Sequence, residues 1–115
     1  MSISLNKELD LHVKALNLRT ERATVLASNI ANANTPGYQA RDIDFQAALD
    51  RSMFSQDELD SSELSYVIPA HPSKDKNTVE LGREQAKFAQ NVAEYQASLS
   101  FIKTKLYDLK KVIAG

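Results

Sequence analysis

Residues 81–113 read LGREQAKFAQNVAEYQASLSFIKTKLYDLKKVI. Leu81, Gln85, Phe88, Val92, Tyr95, Leu99, Ile102, Leu106, Leu109 and Ile113 recur at alternating steps of four and three, and all but Gln85 are apolar or aromatic. That is the a/d pattern of a heptad, and it predicts one long helix with a single apolar stripe. At 1.5 Å per residue the helix measures about 50 Å. Asn77-Thr78-Val79-Glu80 has the form of a capping box with Asn at the N-cap. Lys103, Lys105, Lys110 and Lys111 gather near the far end, where cations complement the helix dipole.

The first third repeats the pattern. Leu5, Leu9, His12, Leu16, Arg19, Ala23, Leu26, Ile30 and Ala33 keep the same alternation without a Gly or Pro, which predicts a helix over 5–33. Pro36 pushes Thr35 out of the helical region and Gly37 can take positive φ, so the helix ends near Asn34. His12 and Arg19 interrupt the stripe. Either they snorkel from the seam edge, or they set register or partner choice as polar a/d residues can.

Between the helices lies a 34–80 insert holding all three Pro, at 36, 69 and 72. Phe45, Ala48, Leu49 and Met53 suit a short amphipathic helix within Ile43–Met53. Leu64, Tyr66 and Ile68 alternate as in a short strand. Asp42 and Asp44 read as a turn and a helix N-cap. Asp57, Glu58, Asp60 and Glu63 read as a solvated loop. The expectation is a mostly α, single domain over 1–115. Its two long antiparallel helices form a coiled-coil hairpin, and a small irregular insert holds a short helix and a short strand. The seam is assigned to Leu9, Leu16, Leu26, Ile30, Phe88, Val92, Tyr95, Leu99, Ile102, Leu106 and Leu109.

Leu11, Leu18 and Val25, with Phe101 on the last helix, sit at heptad position c, on the far side from the seam. Exposed apolar stripes mark partner surfaces, so these four are expected to form an outer partner face. The competing reading is that the insert folds back over them.

Composition narrows the function. The 115 residues carry 14 Lys plus Arg against 15 Asp plus Glu, and no Cys. A thiol nucleophile, a zinc-thiolate site and a disulfide framework are excluded. A net charge of −1 argues against nucleic-acid binding, which needs many phosphates neutralised. His12 and His71 are too few for a histidine metal site and lack a nucleophile motif beside them. No catalytic residue, small-molecule substrate, metal or cofactor is therefore expected. The start, MSISLNKELD, has no basic segment followed by an apolar one, so no cleaved signal peptide is expected.

One segment is more specific: Ser28-Asn29-Ile30-Ala31-Asn32-Ala33-Asn34-Thr35-Pro36-Gly37-Tyr38. Its three Asn amides can bridge neighbouring backbones, since each offers two donors and an acceptor. The stretch closely resembles the N-terminal signature of the bacterial flagellar rod, hook and hook-associated proteins, and the match is unbroken over these eleven residues. Ala40-Arg41-Asp42-Ile43-Asp44-Phe45 and Tyr95-Gln96-Ala97-Ser98-Leu99, with the small insert, resemble the short proximal rod members of that family. The resemblance implies terminal helices in an inner coiled-coil domain and self-association into a hollow shaft. It also implies other rod proteins and the ring and rod-adaptor proteins of the basal body as partners. Export through the flagellar type III apparatus, with no cleaved signal, is implied as well. Phe45-Gln46-Ala47-Ala48-Leu49 fits that apparatus's Phe-x-x-x-aliphatic gate motif, with Phe45 and Leu49 on one helix face. The other reading is a pair packed in the insert core. A helical adaptor outside any flagellum remains the alternative to a rod subunit.

Overall fold

The computed structural model describes residues 2–55, 64–66 and 77–114. Ile68, His71 and the acidic run Asp57, Glu58, Asp60 and Glu63 lie outside the described residues, as does the side chain of Leu5. In chain order the elements are α1 (Ser2–Ala31), β1 (Arg41–Ile43), α2 (Phe45–Ser55), β2 (Leu64–Tyr66) and α3 (Leu81–Ala114). The fold is mostly α, with the two long helices packed on each other and the small elements between them, as expected.

α1 and α3 run antiparallel. Glu8 meets Lys105, His12 stacks on Phe101, Arg19 meets Glu94 and Asn29 meets Glu84. The two residue numbers of each pair add to 113, so one register holds over about six turns. The molecule measures 64 × 27 × 18 Å, and its radius of gyration is 17.7 Å. A compact domain of this length would have about 13 Å. A hairpin this long has little interior.

The helix ends are set by local chemistry. α1 stops at Ala31, two residues short of the expected 33. Asn32 N–H donates to the Ser28 and Asn29 carbonyls, and the Asn32 side-chain amide donates to the Ser28 carbonyl at 2.8 Å. An Asn that binds its own backbone competes with helix continuation. α2 starts after Asp44, whose carboxylate accepts from the Ala47 N–H at 3.3 Å, an N-cap as expected. Asp42 is not in a turn. It lies in β1, paired antiparallel with β2 through Arg41–Tyr66, Asp42–Ser65 and Ile43–Leu64.

Two expectations need correction. Leu18 and Val25 do not face outward. Leu18 is 6% exposed and packs with Ile43 and Ala48, and Val25, Phe45 and Leu49 close around them. The physical reason is that the helix pair cannot bury the far stripe of α1, so β1 and α2 fold back over it. Leu11 and Phe101 stay partly exposed, but Phe101 sits on the rim of the helix pair, its ring 4.3 Å from that of His12. Within the expected seam, Leu26 is fully buried, whereas Val92 and Leu106 are exposed. Leu9, Leu16, Ile30, Phe88, Tyr95, Leu99, Ile102 and Leu109 are half-buried.

Candidate functional site: the signature clasp

Residues 28–38 leave α1 through a tight turn. Tyr38 N–H donates to the Thr35 carbonyl at 3.2 Å, with Pro36 and Gly37 between them. Gly37 has φ 74°. Pro followed by a residue of positive φ is the type II arrangement, and only Gly takes it without strain. The turn sends Tyr38 back onto α1, where its hydroxyl lies 3.1 Å from Ser28 Oγ and donates to Asn29 Oδ1 at 3.5 Å.

Asn29 is the centre of the site. Its buried amide nitrogen donates to the Arg41 carbonyl at 2.6 Å and to Glu84 Oε2 at 2.9 Å, while its Oδ1 accepts from the Arg41 N–H at 3.1 Å. One side chain thus pairs with both backbone groups of Arg41, as a neighbouring strand would. The same amide ties β1 to α3. Glu84 is buried too, and Lys87 lies 3.4 Å from its other oxygen. Lys87 also lies 3.7 Å from Asp42, which takes a two-pronged ion pair from Arg22 at 2.9 and 3.1 Å. The Asp42 bond holds the Arg22 guanidinium pKa above its ordinary value, against the lowering effect of burial. A fork matched to a carboxylate gives the strongest kind of surface-accessible pair.

Asn77 closes the other side. Its Nδ2 lies within 3.1 Å of the Asn32, Ala33 and Thr35 carbonyls, and its Oδ1 accepts from the Val79 N–H at 2.7 Å. Carbonyls at a helix C-terminus lack partners within the helix, and here an Asn from 42 to 45 residues downstream supplies one. The expected capping box is therefore not formed. Glu84 N–H bonds the Glu80 carbonyl and α3 begins at Leu81, because Asn77 Oδ1 takes the Val79 N–H instead of that of Glu80 and its amide nitrogen is committed to the carbonyls just beyond α1. Thr78 completes the join, donating its N–H to the Tyr38 carbonyl at 3.0 Å and accepting from Ala40 N–H at 2.8 Å.

The structure brings most of the signature together, though not in one role. Ser28, Asn29, Asn32, Thr35 and Tyr38 hydrogen-bond within the clasp. Ile30 and Ala33 are half-buried. Ala31, Asn34, Pro36 and Gly37 are exposed. The Asn cluster thus bridges neighbouring backbones at Asn29 and Asn32, while Asn34 faces solvent. Sequence reasoning missed Glu84, Asn91 and the true role of Asn77. Asn91 is buried on α3 and donates to the Arg19 carbonyl at 2.8 Å, while its Oδ1 has no partner among the described residues. The available signal was spacing, since 77, 84 and 91 lie seven apart beside the apolar stripe.

Arg19 neither snorkels freely nor lies in the apolar seam. Its guanidinium pairs with Glu94 and stacks 4.1 Å from the Phe45 ring centroid. Phe45 and Leu49 both pack on the Leu18–Ile43–Ala48 cluster. Among the described residues no three or more His, Cys, Asp or Glu side chains gather as metal ligands. No described helix is long and apolar enough to cross a membrane.

Residues 9–39, which hold most of α1 and the signature turn, match the family model described as flagella basal body rod protein. The chain is 39% identical over 130 aligned positions to the flagellar basal body rod protein FlgB of Aeromonas hydrophila, covering 100% of this chain and 98% of that protein. It is 40% identical to that of Escherichia coli strain K12, covering 95% and 94%. It is also 40% identical to that of Cereibacter sphaeroides strain ATCC 17029, covering 94% of each chain. With 130 positions set against 115 residues, at least 15 positions of the Aeromonas alignment have no counterpart here. The chain therefore belongs to the FlgB family of flagellar basal body rod proteins.

Proposed function

We propose that the protein acts mechanically, as a single rod-type domain in the proximal part of the flagellar shaft, and carries no chemistry of its own. Its neighbours are further copies, other rod proteins, and the ring and adaptor proteins at the base. It works in the periplasm after export through the flagellar type III apparatus without a cleaved signal. Packed side by side, such hairpins form a stiff hollow tube that transmits torque.

One observation supports this reading above the others. The second half of α3 keeps large apolar residues in solvent: Leu106 is half exposed, Tyr107 more than half, and Val112 and Ile113 are 78% and 79% exposed. Apolar side chains left in this way on an elongated hairpin fit a subunit whose burial is completed by other chains. Leu11 and Phe101 belong to the same proposed partner surface, and the half-buried seam residues brace it from within.

The test is complementation of a deletion strain with Val112→Ser/Ile113→Ser. The expected result is a chain of unchanged thermal stability that fails to restore rods or motility. Full motility with both residues changed overturns the assigned surface, and intact flagella in the deletion strain overturn the function. The gate reading of Phe45 and Leu49 has its own test. Phe45→Ala should lower both secretion and stability, and normal secretion from a destabilised chain leaves the pair a packing contact only.

A further inference from the structure

Both long helices carry heptad stripes, broken at His12 and Arg19 in α1 and at Gln85 in α3, so sliding one past the other by seven residues, about 10.5 Å, sets mostly apolar positions against each other again. The apolar pattern alone does not choose among these hairpins. Three buried polar residues stand at heptad spacing on the α3 side, and each meets a different target on or beside α1. Asn77 donates to the Asn32, Ala33 and Thr35 carbonyls. Glu84 accepts from the Asn29 amide. Asn91 donates to the Arg19 carbonyl. The order along the chain is donor, acceptor, donor.

We propose that Asn77, Glu84 and Asn91 form a register ladder in which the single acceptor rung excludes the heptad-slipped hairpins. Slide α3 one heptad towards the signature turn, and the Glu84 carboxylate moves towards the three carbonyl oxygens that Asn77, four residues before α3, now serves. Slide it the other way, and Glu84 takes the place of Asn91, facing the Arg19 carbonyl. In both cases a buried carboxylate meets acceptors and loses its amide donor, keeping only Lys87 of its own helix, an arrangement that low-dielectric surroundings penalise. Replacing Glu84 by a group that both donates and accepts removes the penalty and leaves the native bond from Asn29 available. Lys105 near Glu8, at 3.9 Å, lies two heptads beyond Asn91 and continues the spacing with a further chemistry.

The chain has no Cys, so register can be read by disulfide trapping in the full chain. His12→Cys with Phe101→Cys reports the observed register. His12→Cys with Asp108→Cys, and Leu5→Cys with Phe101→Cys, report slips of one heptad in the two directions. With Glu84 in place only the first pair should cross-link efficiently. With Glu84→Gln, at unchanged helicity by circular dichroism, at least one slipped pair should cross-link about tenfold more than before. If the Gln chain keeps its helicity and only the first pair forms, the ladder does not set the register and the proposal fails. If the Gln chain loses its helicity, Glu84→Leu is read in the same way. Loss of helicity in both means that Glu84 holds the hairpin together rather than choosing its register, which also overturns the proposal.

Discussion

Asn29→Ala is the most informative single change. The substitution deletes four hydrogen bonds made by one buried amide, two with the Arg41 backbone, one with Glu84 and a long one from the Tyr38 hydroxyl that adds little. Two neutral bonds contribute about 1 kcal/mol each and the bond to a carboxylate about 2 kcal/mol. The change also leaves the Arg41 N–H and Glu84 Oε2 short of a partner where little water reaches. A loss of about 4 kcal/mol follows. A chain of this length has roughly 6–17 kcal/mol in all, so the variant should fold with a much thinner margin. At about 4 °C per kcal/mol, Tm should fall by about 15 °C. Far-ultraviolet circular dichroism during heating, and urea unfolding for the free energy, read both quantities. Asn34→Ala is the control, because Asn34 is exposed and should shift stability by less than about 0.5 kcal/mol. A loss below about 1 kcal/mol at Asn29 refutes the reasoning, as does an equal loss at the two positions, since burial and bonding would then not separate them.

Other changes probe neighbouring parts of the clasp. Asn29→Asp sets a second carboxylate against Glu84 and the Arg41 carbonyl, so urea unfolding should show a larger loss than Asn29→Ala. Gly37→Ala meets no atom within 4 Å, so only the positive φ opposes it, and calorimetry should show a loss of about 1 kcal/mol. A double-mutant cycle on Arg22→Gln and Asp42→Asn should give a coupling of about 1–2 kcal/mol, discounted for the partial exposure of both side chains. The raised pKa of Arg22 means that its contribution is fully present below the unfolded-state pKa and is lost only as pH rises through the folded one. The coupling should therefore be flat from about pH 7 to about pH 10. Phe45→Ala removes the ring beneath Arg19 and part of the cluster around Leu18, and chemical unfolding should show a loss of about 2–3 kcal/mol.

How much of this was legible from residues alone follows from which interactions are local. The heptad stripes revealed α1 and α3, because a 3.6-residue period needs no knowledge of the partner. Asp44 was legible as an N-cap because the carboxylate and the N–H it serves lie three residues apart. Asn77 was misread for the opposite reason. The local motif fitted a cap, but its side-chain oxygen takes the Val79 N–H rather than that of Glu80, and its amide nitrogen serves carbonyls just beyond α1. Leu18 and Val25 pointed away from the seam, as their heptad position requires. What that position could not show is that β1 and α2 return to cover them. β1 escaped notice because Arg41-Asp42-Ile43 has one apolar residue and no alternation. Its partner is partly a side chain, the Asn29 amide. Glu84 and Asn91 looked like ordinary solvated positions, and only their spacing of seven with Asn77 set them apart.

The central claim is that a rod subunit of this family keeps its signature folded inward, as a clasp between its own helices, and turns the apolar end of α3 to its neighbours. An electron cryo-microscopy map of the basal body, at a resolution that shows side chains, tests this most directly. The expected map places the chain in the rod, with the Asn29 amide within hydrogen-bond reach of Arg41 and Glu84 of the same subunit and with Val112 and Ile113 buried against another chain. A rod in which residues 28–38 reach out to a neighbouring subunit, with Asn29 parted from Glu84, would contradict it.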